Sequence, residues 1–199
     1  MYQLTFSPIS PYVRKVRLAS CLIGISEEIE LVNPQNNIFQ VIKSKNPLAK
    51  IPVLIKKNGD YLFDSRVIID FFNRQKGILI PEKERDLVLT RCALSEGIID
   101  AALLFVYSIR YAGEKEPSKV WQDLQIDKIK NSLTFLNKDI SNWNFQNKMN
   151  ASHIGLIVAL DYLSFRKVFD WKKDLKNLID WHKNISKELP GYIDTFPKD

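Results

Sequence analysis

At 199 residues, with 45% hydrophobic and 26% charged residues, the chain is long enough to bury a full core, as one large domain or two small ones, and its composition is not that of a disordered segment. The formal net charge of +6 raises the question of nucleic acid. However, Lys43, Lys45, Lys56, Lys57, Lys115, Lys130, Lys148, Lys172, Lys173 and Lys187 are scattered among acids instead of forming one stripe, which favours solubility and attraction for small anions. Cys21 and Cys92 are too few for a disulfide framework and have no metal-like spacing. No signal-peptide pattern opens the chain and no run approaches the ~18 apolar residues of a spanning helix. A cytoplasmic protein with no nucleic-acid and no membrane partner is therefore expected.

The first half alternates strand and helix. Tyr2 to Phe6 predicts a strand, and Pro11 to about Gly24 predicts a helix with Val13, Val16, Ser20 and Ile23 on one face. Proline suits the first helical turn, so Ser10 is the expected N-cap. Its hydroxyl and the neighbouring free amides lie at the positive end of the helix dipole, where a thiolate or carboxylate is stabilised. Glu28 to Val32 predicts a second strand and roughly Gln35 to Ser44 a weak helix. Val53 to Ile55 and Tyr61 to Phe63 predict two strands joined by a loop whose Asn58-Gly59 is a strong hairpin signal. Pro52, at the start of that pair, cannot donate to a ladder and marks an edge, a bend or a cis bond. Asp64 and Ser65 are capping types at the head of a helix to Gln75 that carries Val67, Ile68, Phe71 and Phe72.

Gly77 suits the end of that helix, and residues 77–81 predict an extended linker. Beyond it the pattern is entirely helical. Leu87, Leu94, Ile98, Ala102, Phe105 and Ile109 define one expected buried face of a long helix. A second helix carries Ile126, Ile129, Leu133, Leu136 and Ile140, and a third carries Ile154, Ile157, Val158, Leu160 and Leu163. A fourth is expected to carry Trp171, Leu175, Leu178 and Ile179.

Ser10-Pro-Tyr-Val-Arg14, Asn46-Pro-Leu-Ala-Lys-Ile-Pro-Val-Leu54 and Phe63-Asp-Ser-Arg-Val-Ile68, in this order and spacing, resemble the N-terminal domain of the soluble glutathione S-transferases, closest to bacterial serine-type or omega-like members. The resemblance covers nearly the whole chain. It implies a thioredoxin-like α/β domain over residues 1–77, an all-α C-terminal helical bundle domain over 86–199, and a homodimer. The implied activity is transfer of glutathione, as co-substrate and without a metal, to small hydrophobic electrophiles.

Carried over by position, the resemblance makes Ser10 the catalytic hydroxyl that stabilises the glutathione thiolate. Ile51 would pair its backbone with the cysteinyl unit of glutathione, Pro52 would be cis, Asp64 and Ser65 would hold the γ-glutamyl end, and Lys50 would approach the glycyl carboxylate. Many members have glutamate where this chain has Asp64. Ser7 is the rival hydroxyl; Ser10 is preferred because it caps the helix directly and matches the position that is cysteine in omega-like members. With serine there, mixed-disulfide chemistry lacks its nucleophile. Ile9, Tyr107 and Tyr111 are candidates for the electrophile pocket between the two domains, and Asp100 resembles an acid that reaches the neighbouring subunit's glutathione in some members.

Asn150-Ala-Ser-His153 stands where the family carries a Ser/Thr-x-x-Asp capping box. Asn150 is expected to cap, whereas His153 is not expected to return the bond that a carboxylate makes. His153 and His182 have no metal-ligand spacing and are expected to be structural. The alternative functions are a noncatalytic interaction or stress-response module on the same fold, and a glutathione-dependent isomerase or lyase. The trio of Ser10, Ile51-Pro52 and Asp64-Ser65 favours the transferase, because a scaffold has no need of all three.

Overall fold

The computed structural model describes residues 1–33, 43–146 and 148–198. Strand β1 (Tyr2–Thr5) leads into α1 (Pro11–Leu22) and back to β2 (Ile29–Val32), which pairs in parallel with β1 from Tyr2↔Ile29 to Thr5↔Val32. Strands β3 (Leu54–Ile55) and β4 (Tyr61–Leu62) form the hairpin, closed by Gly59 at φ 87° and by a hydrogen bond that the Lys56 amide donates to the Asp60 carbonyl at 2.7 Å. β3 lies antiparallel to β1, giving the order β2-β1-β3-β4. This is the thioredoxin-like α/β sheet, and a mostly helical region follows it. The expected helix at 35–44 falls mostly on residues outside those described.

Helix α2 (Ser65–Lys76) ends at Gly77 in the left-handed conformation, φ 71°. It buries Ile68, Ile69 and Phe72, while Val67, another apolar residue that it carries, is exposed. Asn73 then exchanges two hydrogen bonds with the backbone of Ile80. The linker carbonyl of Leu79 accepts from the Ala151 amide at 2.8 Å, so residues 77–81 are stitched to both halves of the chain.

Helices α3 (Arg85–Arg110), α4 (Lys119–Asp139), α5 (Ala151–Phe165) and α6 (Lys176–Glu188) form the second half. In α3 the buried positions are Val88, Ser95, Ile98, Ile99, Ala101 and Ala102. Leu87 and Ile109, expected in the buried stripe, are exposed. Helices α4 and α5 pack on α3, and Tyr12 and Lys15 of α1 bond to its Asp100 and Glu96, so its buried positions gather at residues 95–102, with Val88 buried nearer the start. The segment Glu82–Arg110 is also long and apolar enough, by length and composition, to cross a membrane, although no unbroken apolar run announces it. Within the fold that segment supplies Glu96 and Asp100 as hydrogen-bond acceptors for α1.

Every residue of α5 from Ala151 to Leu163 is buried. Trp171 precedes α6 rather than belonging to it, since residues 171–174 form turns; its indole donates to the Leu160 carbonyl at 2.9 Å. The α5 cap also corrects an expectation. The Asn150 amide donates to Nδ1 of His153 at 3.2 Å while the Asn150 side chain accepts from the Ser152 amide. A neutral imidazole nitrogen carries a lone pair, so it closes the capping box as a carboxylate would.

Candidate functional site

The loop between β1 and α1 turns where the Ser10 amide donates to the Ser7 carbonyl at 3.2 Å. Ser10 is extended, with φ −83° and ψ 118°, and its Oγ accepts from the Val13 amide at 3.3 Å. This cap uses a lone pair, so the hydroxyl hydrogen stays free to donate. Pro8, Ile9, Ser10, Pro11 and Arg14 line a small open cleft together with Val158, Tyr162 and Pro197.

Beside this loop, the chain around Pro52 is held by Thr5. Its amide donates to the Val53 carbonyl at 3.0 Å, and its hydroxyl accepts from the Val53 amide at 2.7 Å. Val53, expected in the strand, thus lies just before β3, tied to Thr5 by one backbone bond and one bond to its hydroxyl. The Ile51-Pro52 bond is cis, as the resemblance implies. No hydrogen bond reaches the half-buried Ile51 backbone among the described residues. The turn before it is built by buried Asn46, which accepts from the Leu48 amide and donates to the Lys50 carbonyl at 2.8 Å. The Lys50 side chain is exposed.

At the head of α2, Asp64 is the N-cap and accepts from the Arg66 amide at 2.9 Å and from its guanidinium at 2.8 Å. Burial opposes ionisation of Asp64, but the Arg66 bonds and charge, with help from Lys15, outweigh it and hold the carboxyl below its ordinary range. Ser65 is fully buried and its Oγ has no hydrogen-bond partner among the described residues. Buried hydroxyls are usually paired, so an orphan at a helix N-terminus, beside free amides, has the donor set to receive a carboxylate.

Two contacts between α1 and α3 flank this region. Lys15 pairs with Glu96, and the Tyr12 hydroxyl donates to Asp100. Burial and the Asp100 bond together push the Tyr12 phenol up. Asp100 therefore has an in-chain partner, and the charges of Glu96 and Asp100 both act on Arg66.

Neither cysteine is poised as a nucleophile. Burial raises the Cys21 thiol and pushes Cys92 up to about 12. Tyr107 and Tyr111 stack edge to face at 5.3 Å, both exposed near the end of α3. Val158, Tyr162 and Pro197 escaped the sequence analysis as cleft residues. Their positions in a buried helix and a C-terminal tail carry no motif, whereas Arg14 stood within the Ser-Pro-Tyr-Val-Arg motif.

The profile described as "Glutathione S-transferase, N-terminal domain" matches residues 4–81. The GST-like protein YibF of Escherichia coli (strain K12), itself uncharacterized, is 31% identical over 193 residues, which span 92% of this chain and 93% of that protein. A glutathione transferase family member from Pseudomonas fluorescens Pf-5, crystallised with bound glutathione, is 33% identical, with a TM-score of 0.91 over 100% of both chains. A second structure from that source, with bound S-(propanoic acid)-glutathione, is also 33% identical and gives 0.83, again over 100% of both. A capped serine beside a cis Ile-Pro bond and an acid-serine helix start, on a fold shared from end to end with these proteins, leads to one assignment: the chain belongs to the glutathione S-transferase family.

Proposed function

We propose that this protein is a glutathione transferase that binds reduced glutathione and holds its thiolate for attack on small hydrophobic electrophiles. The observation that carries this reading is the fully buried Oγ of Ser65 at the head of α2, which has no hydrogen-bond partner among the described residues. Ser65 and the amides beside it bind the γ-glutamyl carboxylate, with Asp64 held ionised toward the amino group. The Ile51 backbone next to cis Pro52 pairs with the cysteinyl unit, and Lys50 meets the glycyl carboxylate.

Ser10 donates its free O–H to the sulfur. An ordinary thiol has a pKa near 8.5, so ionisation at neutral pH takes about 1.4–2.7 kcal/mol of preferential thiolate stabilisation. One hydrogen bond to a charged group supplies roughly 1.5–3 kcal/mol, and the α1 dipole adds to it. The sulfur then bonds the electrophilic carbon as the leaving group departs. The Pseudomonas relative's complex with S-(propanoic acid)-glutathione, a sulfur-substituted glutathione, is of the product class this chemistry makes.

The same reading places the domain division at 1–77 and 86–199, assigns the chain to the bacterial serine-type or omega-like members, and gives it a cytoplasmic, homodimeric and detoxifying role. Calorimetry with reduced glutathione, followed by turnover of 1-chloro-2,4-dinitrobenzene, tests it. Saturable binding with turnover is expected; binding without turnover of any acceptor in a broad screen would favour the interaction module, and absence of binding would end the proposal.

A further inference from the structure

Beyond Tyr162 of the cleft wall stand two cations that the proposed thiolate chemistry does not use. Arg110 closes the last turn of α3, and Arg166 caps the C-terminus of α5. A cation at a helix C-terminus is favourable for any protein, but three observations go further. The Nε of Arg166 is buried without a hydrogen-bond partner among the described residues, against the strong tendency of buried donors to be paired. No ion pair engages either arginine among the described residues. Finally, Tyr162 connects both to the cleft. It lines the cleft with Ser10, its ring centroid lies 5.8 Å from the Arg166 guanidinium, and burial raises its hydroxyl against a hydrogen bond from Arg166 and the charges of Arg166 and Arg110. Arg110 itself lies 5.6 Å from the Tyr107 ring centroid.

We propose, resting on the transferase reading above, that the acceptor is an anion: an electrophile bearing a carboxylate, its charge on Arg166 and Arg110, its apolar body against Tyr162 and Tyr107, and its reactive carbon at the Ser10 end. Guanidinium groups are weakly hydrated and match a carboxylate in two-pronged geometry, which makes them the natural receptor for it. With a chloroarene carboxylate the glutathione sulfur attacks the ring carbon bearing chlorine. A C–S bond forms, the C–Cl bond breaks, chloride leaves with the bonding pair, and the thiol proton has gone to solvent.

The test compares 4-chloro-3,5-dinitrobenzoate with the corresponding benzamide, each with reduced glutathione, and reads the ratio of their kcat/KM values after correction for the uncatalysed rates. A wild-type ratio of about ten or more in favour of the carboxylate is expected, the discrimination that one charge-assisted hydrogen bond supplies. That ratio is expected to fall about tenfold in Arg166→Gln and in Arg110→Gln. Arg110 is exposed, so its variant reports even where Arg166→Gln fails to fold. A wild-type ratio near one with the amide turned over, or a ratio unchanged in folded variants, overturns this inference alone. Turnover of neither acceptor, with no glutathione binding by calorimetry, overturns the transferase reading and this inference with it.

Discussion

Arg14 donates from Nη1 to Oδ2 of Asp161 at 2.6 Å, with both side chains almost fully buried. This contact fixes the first helix of the α/β half to the central helix of the other half. The second carboxylate oxygen of Asp161 meets Nε2 of His182 at 2.7 Å and the Tyr192 hydroxyl at 3.2 Å. Arg14 also reaches the Tyr192 carbonyl and the Thr195 hydroxyl, so the C-terminal turns are strapped down by the same cluster. Asp161→Ala leaves a buried guanidinium without its counter-charge and is expected to lower stability by about 3–5 kcal/mol. Urea unfolding measures this. A loss below about 1 kcal/mol would mean that water reaches Arg14 and the cluster is not a buried pair.

Ser10→Ala removes both the α1 cap and the proposed donor to sulfur. The cap is worth about 1 kcal/mol of stability. Loss of the hydrogen bond to sulfur is expected to raise the pKa of bound glutathione by about one to two units and to lower turnover of an aromatic electrophile roughly 10- to 100-fold near pH 6.5. Glutathione affinity should stay nearly the same. A pH–rate profile beside a binding isotherm separates the two effects, and collapse of affinity with turnover intact would assign the wrong role to Ser10. Parallel data on Ser7→Ala decide between the two hydroxyls.

Ser65→Ala should move stability and affinity in opposite directions. The Oγ has no partner to lose among the described residues, so the thermal midpoint should hold or rise. The dissociation constant for glutathione should rise about tenfold or more, because the lost bond is to a carboxylate. A fall in the midpoint without change in affinity would make Ser65 a structural hydroxyl.

His153 gives the fold a pH dependence. It is 1% exposed and boxed by the rings of Trp143, Phe145 and Trp181. Burial first, and then the Arg91 charge, lower its pKa from 6.5 to about 4. Between those values the unfolded chain binds a proton that the folded chain refuses. The stabilisation is therefore complete above about pH 6.5 and is lost as pH falls toward 4, by roughly 3 kcal/mol in total. His153→Gln keeps an acceptor for the Asn150 amide but cannot titrate, so unfolding free energies measured from pH 8 to 4 should lose this component of their slope. An unaltered slope would place the titrating group elsewhere.

Order of elements, caps and turns was legible from the residues alone, because each is decided within a few positions. Pro11 after Ser10, Asp64 before Ser65, Asn58-Gly59 and Gly77 all stand where the structure uses them. The four buried positions expected on α1 are buried for the same reason, since a helix with one apolar stripe has one way to face a sheet. Tertiary packing alone decided the rest. Arg14 and Lys15 are buried, contrary to the usual fate of cations, because α3 and α5 close over α1 and bring Glu96 and Asp161 to meet them. Leu87 and Ile109 of α3 are exposed because the helices packed on α3 meet its other faces, and His153 closes a cap because burial among three aromatic rings keeps it neutral. A local pattern specifies which conformation a segment takes, whereas the charge state and exposure of a side chain depend on what arrives from elsewhere in the chain.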